Sequence, residues 1–187
     1  MSNQRKPAIF VAIAATVVLV LFGAAFLVGR LEQQPAVTKT VNVGSAATPS
    51  VIYAASFPDL AGTPQVLGQW NQKLLILNFW ATWCAPCLEE IPMFVRAQEK
   101  YGPAGLQIVG IAADSSVNSA NFVKKLGINY PVLADEARAI EFSKRVGNGF
   151  GLLPFSIILS PAGEIVTTKL GVMTEKEIED LVIKYRR

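Results

Sequence analysis

From Lys73 to Arg187, short uncharged runs of strand-forming residues alternate with segments whose apolar residues recur at helical spacing, which leaves few folds open. KLLILNFWA reads as a buried strand. PCLEEIPMFVRAQEKYG, with Leu88, Ile91, Phe94 and Val95 on one face, reads as a helix ending at Gly102. GLQIVGIAAD is a second buried strand, and SVNSANFVKKLG is a helix stopped by glycine. YPVLAD is a short strand, and EARAIEFSKRVG is a helix ending at Gly147. PFSIILS, the turn PAG and EIVTTKLG form a hairpin. TEKEIEDLVIKYRR opens on a capping box of Thr174 and Glu177 and turns Ile178, Leu181 and Val182 inward. The order β-α-β-α-β-α-β-β-α is that of an α/β domain. Its alternation implies parallel strands covered by helices, and the late hairpin adds an antiparallel edge. Residues 57–187, about 130 in all, suffice for one core.

The front of the chain obeys different rules. Pro7 to Gly29, PAIFVAIAATVVLVLFGAAFLVG, carries no charge. A bilayer's hydrocarbon core needs about 20 apolar helical residues, so this run is long enough to span it. Arg5 and Lys6 precede it, and Arg30 and the more distant Lys39 follow, a bias that favours an inside N-terminus. The run exceeds the apolar stretch of about 7–15 residues of a cleaved signal peptide, so residues 1–30 are expected to form an uncleaved anchor. Either reading sends the rest of the chain across a membrane. Residues 31–56 are small, polar and aperiodic, punctuated by Pro35, Gly44 and Pro49, and read as a flexible tether. The net charge of +3 is small and near zero beyond the anchor, so no basic patch argues for nucleic acid.

Only two cysteines occur, in NFWATWCAPC, and there is no histidine. A structural zinc site normally takes four Cys or His ligands, which this chain does not offer. Leu88 follows the second cysteine where haem attachment needs histidine. A bridge over so short a loop constrains the unfolded chain little. A redox pair has a mechanism. The helix expected to start near Cys84 presents unpaired N–H groups and the positive end of its dipole, so a thiolate there is favoured. Cys84 is the expected nucleophile and Cys87, one turn on, the expected resolving thiol. Pro86 sits in the first turn, where its missing N–H costs nothing.

NFWATWCAPCLEEIP resembles the active-site segment of thioredoxin-like proteins, and most closely the membrane-anchored, extracytoplasmic branch that includes TlpA, ResA and the cytochrome c maturation thioredoxins. The resemblance implies a thioredoxin fold over residues 57–187: a central mixed sheet flanked by helices, with an N-terminal extension and a βα insertion, preceded here by one transmembrane helix. It implies a redox-active Cys84–Cys87 disulfide. Trp83 matches the tryptophan that shapes the partner surface, and Pro92 the proline that kinks the active-site helix. Pro154, in GLLPFSIIL, matches the cis-proline facing the cysteines, where the backbone of Leu153 would pair with a substrate strand. There are two departures. Cytoplasmic thioredoxins carry a buried Asp where this chain has Asn78. Glu90 matches instead the acid of the anchored branch, three residues after the second cysteine, placed to take up a proton. Cytochrome c maturation members tend to read G-x-P-E around the cis-proline, whereas this chain reads LLPFS.

The resemblance therefore implies a thiol–disulfide oxidoreductase without a further cofactor, anchored through residues 7–29 in the cytoplasmic membrane with its domain outside. It would act as a reductase of protein disulfides, supplied by a membrane electron donor of the DsbD/CcdA type. A different class of function would use the same thiols to hold Cu(I), since soft thiolates select that metal. Met93 is the methionine near the pair, and it sits in a core-like pattern. A peroxidase of the peroxiredoxin type would place Thr three residues before its cysteine. Here Thr82 is two before Cys84.

Overall fold

The computed structural model of the chain describes residues 48–185. The expected anchor, residues 1–30, and most of the expected tether lie outside them. Among the described residues no helix is long and apolar enough to cross a membrane.

The first element falls inside the stretch read as tether. Helix α1 (Pro49–Ala54) leads through Ala55 into a small antiparallel hairpin, β1 (Ser56–Pro58) and β2 (Pro64–Val66), and then a 3-10 turn, Leu67–Trp70. The tether boundary at 56 is thus corrected: residues 49–56 belong to the folded unit. Pro49 is suited to a first helical position. Ile52 is fully buried, and Leu67 N–H donates to the Ala55 carbonyl at 2.8 Å. One apolar anchor in six residues is too short a run to show a period. Asp59 braces the hairpin by accepting from the Ala61 and Thr63 N–H groups at 2.9 Å and from Gln65 Nε2 at 3.0 Å. A bridge from Asp59 to Leu133 lays the hairpin along one edge of the main sheet.

That sheet has five strands: β3 (Leu74–Trp80), β4 (Leu106–Ala112), β5 (Val132–Ala134), β6 (Phe155–Leu159) and β7 (Ile165–Leu170), in the order β5-β4-β3-β6-β7. β3, β4 and β5 are parallel, while β6 and β7 join antiparallel. Helices α2 (Ala85–Tyr101), α3 (Ser116–Leu126), α4 (Glu136–Arg145) and α5 (Glu175–Tyr185) connect or follow them. The alternation, the late hairpin and the extra βα unit (α3 with β5) match the architecture the resemblance implies. So does the capping box: Glu177 N–H donates to Thr174 Oγ1 at 3.2 Å, and the Glu177 carboxylate accepts from Thr174 N–H at 2.7 Å.

β3 is the central strand, and all seven of its residues are buried. Successive side chains point to opposite faces. Phe79 meets Phe142 of α4 on one face, with ring centroids 6.2 Å apart, and Asn78 reaches α2 on the other. α5 lies beside α2, tied by exposed pairs such as Arg96–Glu175 that contribute little. Gly110 of β4 is opposite Asn78, and a Cβ there would stand 3.0 Å from Trp80 Nε1, crowding the indole.

Ile52→Ala is expected to destabilise the domain by about 2–5 kcal/mol, the cost of an unfilled cavity. Urea unfolding measures it; a change within about 0.5 kcal/mol, as for an exposed tether residue, would return this segment to the tether.

Candidate active site

β3 ends at Trp80, and the chain turns through Ala81, Thr82 and Trp83 into α2. The turn is pinned from β4: the Thr82 hydroxyl donates to the Asp114 carboxylate, which also accepts from Ser115 N–H at 2.7 Å and Asn118 Nδ2 at 2.9 Å. Burial alone would raise the Asp114 pKa, but these bonds outweigh it and hold it below the usual carboxylate range. Cys84 is therefore delivered in an extended conformation, φ −91° and ψ 96°, as the N-cap of α2. Its Sγ accepts from the Cys87 N–H at 3.3 Å, so the sulfur takes the place of a capping oxygen. No acidic residue occupies the first turn. Cys84 and Cys87 form a disulfide, Cα atoms 5.3 Å apart, with Cys84 5% and Cys87 0% exposed.

One turn beyond Cys87, on the buried face of α2, lies Glu90. Its Oε1 accepts from Asn78 Nδ2 at 2.8 Å and its Oε2 from the Met173 N–H at 3.0 Å. Burial pushes its pKa up to about 7, although both hydrogen bonds favour the ionised form. Asn78 Nδ2 also donates to Ser156 Oγ at 3.1 Å, while Asn78 Oδ1 is buried with no partner. Leaving such a carbonyl bare costs about 1–3 kcal/mol. Tyr130 is buried nearby; burial and then the negative charge of Glu90 push its phenol up. Pro92 lies inside α2, which continues through it to Tyr101.

The β3–β6 register, Phe79 opposite Phe155, brings the start of β6 to the end of β3 that leads to Cys84. The Leu153–Pro154 peptide bond there is cis, and the Pro154 carbonyl accepts from Gly171 N–H at 2.8 Å. Among the described residues, neither backbone group of Leu153 takes part in a hydrogen bond. Exposed apolar side chains come from three segments tied to this end: Trp83 beside Cys84 (69% exposed), Leu152 beside the cis bond, and Val172 beside the amide that holds Glu90.

The structure thus gathers Cys84, Cys87 and Glu90 on the first two turns of α2, and sets Trp83, Leu153 and Pro154 at the same end of the sheet. Sequence reasoning treated Asn78 only as a missing acid and passed over Ser156, Tyr130, Asp114 and the Met173 amide. Asn78 and Ser156 each interrupt an otherwise apolar buried strand, and that was the available signal. Among the described residues no group of three or more His, Cys, Asp or Glu side chains could hold a metal ion.

A model of the Redoxin family matches residues 42–182. The thiol-disulfide oxidoreductase ResA of Bacillus thuringiensis strain Al Hakam is 33% identical over 128 residues, 67% of this chain and 71% of the relative. Among solved structures, a thiol:disulfide interchange protein of the thioredoxin family from Chlorobium tepidum TLS is 30% identical. It superposes with a TM-score of 0.60 over 70% of this chain and 92% of that one. A thioredoxin-related protein from Neisseria meningitidis serogroup B is 33% identical, with a TM-score of 0.61 over 69% and 97%.

A raised pKa at Glu90 has a sign in stability. Between about pH 4.5 and 7 the folded oxidised protein holds a proton that the unfolded chain has released, so this position's contribution is fullest below about 4.5 and declines as pH rises through 7. Glu90→Gln removes the ionisation. The variant should gain on the wild type by up to about 3 kcal/mol between pH 4.5 and 8 in urea titrations. A constant difference would mean that the carboxyl titrates normally.

Proposed function

We propose that this chain, which belongs to the Redoxin family and is a thiol–disulfide oxidoreductase of the ResA type with the thioredoxin fold, reduces disulfides in protein substrates outside the cytoplasmic membrane. The observation that carries the reading is the N-cap position of Cys84, whose sulfur accepts a main-chain N–H in an unopposed helix-start field. That field favours the thiolate over the thiol.

In the reduced protein, the Cys84 thiolate attacks one sulfur of a substrate disulfide. The S–S bond of the substrate breaks, its other sulfur leaves as a thiolate, and a mixed disulfide forms on Cys84. Cys87 then loses its proton and attacks the Cys84 sulfur, expelling the second substrate thiolate and regenerating the Cys84–Cys87 disulfide. Two electrons pass to the substrate. Glu90, one turn from Cys87 and poised near neutrality, is suited to accept the Cys87 proton. The free backbone of Leu153, beside the cis Pro154, would pair with the substrate segment, and Trp83 would cover it. A membrane donor of the DsbD/CcdA type would restore the dithiol. Residues 7–29, as a single-pass anchor, would hold the domain in the periplasm or its equivalent, where disulfide chemistry is carried out.

Cys87→Ser cannot resolve, so it should accumulate mixed disulfides through Cys84; trapping by Cys84→Ser instead would reverse the two roles. A reduction potential near −270 mV supports reduction of substrates, and one near −120 mV would make the protein an oxidant. Tight stoichiometric binding of Cu(I) by the reduced protein, without exchange, would favour the metal-carrying reading.

A further inference from the structure

A buried carboxyl that gains and loses a proton needs partners for both states. The hydrogen-bond partners of Glu90 suit only the anion, since Asn78 Nδ2 and the Met173 N–H both donate to it. Once protonated, one carboxyl oxygen becomes a donor itself. Oε2 faces the main-chain N–H of Met173, which cannot reverse. Oε1 faces a side-chain amide, which can.

Asn78 meets the requirement. Its side chain is fully enclosed, and the three contacts that matter lie at its tip: Nδ2 to Glu90, Nδ2 to Ser156 Oγ, and Oδ1 to nothing. Turning the carboxamide by half a revolution about Cβ–Cγ, a broad and nearly two-fold torsion, exchanges Oδ1 and Nδ2. The two ends are nearly the same size, so no neighbour has to move. Oδ1 then accepts from protonated Glu90 Oε1. It also accepts from the Ser156 hydroxyl, which can donate as readily as accept. The bare atom stays on the same side of Asn78 in either orientation. Asn78 and Ser156 are direct register partners on β3 and β6, which fixes the hydroxyl in place for both.

We propose that the Asn78 carboxamide reverses with the charge on Glu90, donating to the carboxylate and accepting from the acid, with Ser156 reversing in step. Asn78 and Ser156 are then positioning residues for the proton acceptor, and the inference rests on the reading of Glu90 in that role. An aspartate at position 78 would set a second carboxylate against the ionised Glu90, so the amide is a functional substitute rather than a lost acid. The other titratable groups facing this pocket do not serve. Tyr130 ionises too high, Lys169 shares the sheet row of Asn78 and Ser156 but is held by Glu177 of α5 at 2.7 Å, and the cysteines do not titrate while joined.

The test uses the full-length oxidised protein in detergent micelles, labelled with ¹⁵N at asparagine and ¹³C at glutamate carboxyls. Across pH 5–9 the Glu90 carboxyl should titrate. The cross-relaxation between the Asn78 NH2 protons and the Ser156 β-protons should be strong at pH 9 and fall at least three-fold at pH 5, with the same midpoint. In Glu90→Gln, which carries no titrating charge, it should not change with pH. An unchanged contact while Glu90 titrates, or a Glu90 that does not titrate in this range, overturns the proposal. Resolution of a preformed mixed disulfide by Cys87 is timed separately in Glu90→Gln. A wild-type rate there overturns the proton-acceptor reading of Glu90, while the magnetic resonance result alone decides whether the amide reverses.

Discussion

A strand paired on both edges and buried on both faces has no freedom to accommodate a site, so the site must accommodate it. β3 is such a strand. Where it stops determines where α2 starts, and α2 starts on a sulfur. Its antiparallel partner β6 fixes the cis-proline at the same end, and its one polar side chain fixes the carboxyl of α2 from below. A shift of one residue in the β3–β6 pairing would turn Asn78 to the α4 face and leave Glu90 buried with only one of its two donors, the Met173 N–H. The chemistry is thereby tied to sheet register, the property a buried apolar core specifies most firmly.

Two opposed electrostatic settings then share the first two turns of one helix. At Cys84 the unpaired N–H groups of the helix start favour negative charge. At Glu90 the surrounding apolar core disfavours it, and the two donors only partly compensate. One end of the segment favours an anion and the other a bound proton, the two settings that the proposed exchange would draw on.

Most of the architecture could be read from patterns long enough to have a period. The runs around LLILNFW and LQIVGIA, the helices ending at glycine and the Thr174–Glu177 box all stand where their residues imply. Residues 49–70 could not be read this way. α1 buries Ile52 fully and Tyr53 in part, and the β1–β2 hairpin is built from three-residue strands braced by Asp59. The cysteine pair and Pro154 were visible because their neighbours are distinctive. The partnership of Asn78 with Ser156 was not, because the two are 78 residues apart and meet only once register is known. The same holds for Met173, which contributes a main-chain N–H that no side-chain identity announces.

The small hairpin laid against β5 has a meaning beyond stability. Any protein with an open strand edge is at risk of becoming a template, because such an edge recruits passing segments. Here one margin of the sheet is closed by the Asp59–Leu133 bridge, and the other, β7, carries Lys169 and exposed threonines. Under the proposed pairing of substrate with Leu153, visitors discouraged along the flanks would be left with that one place to dock.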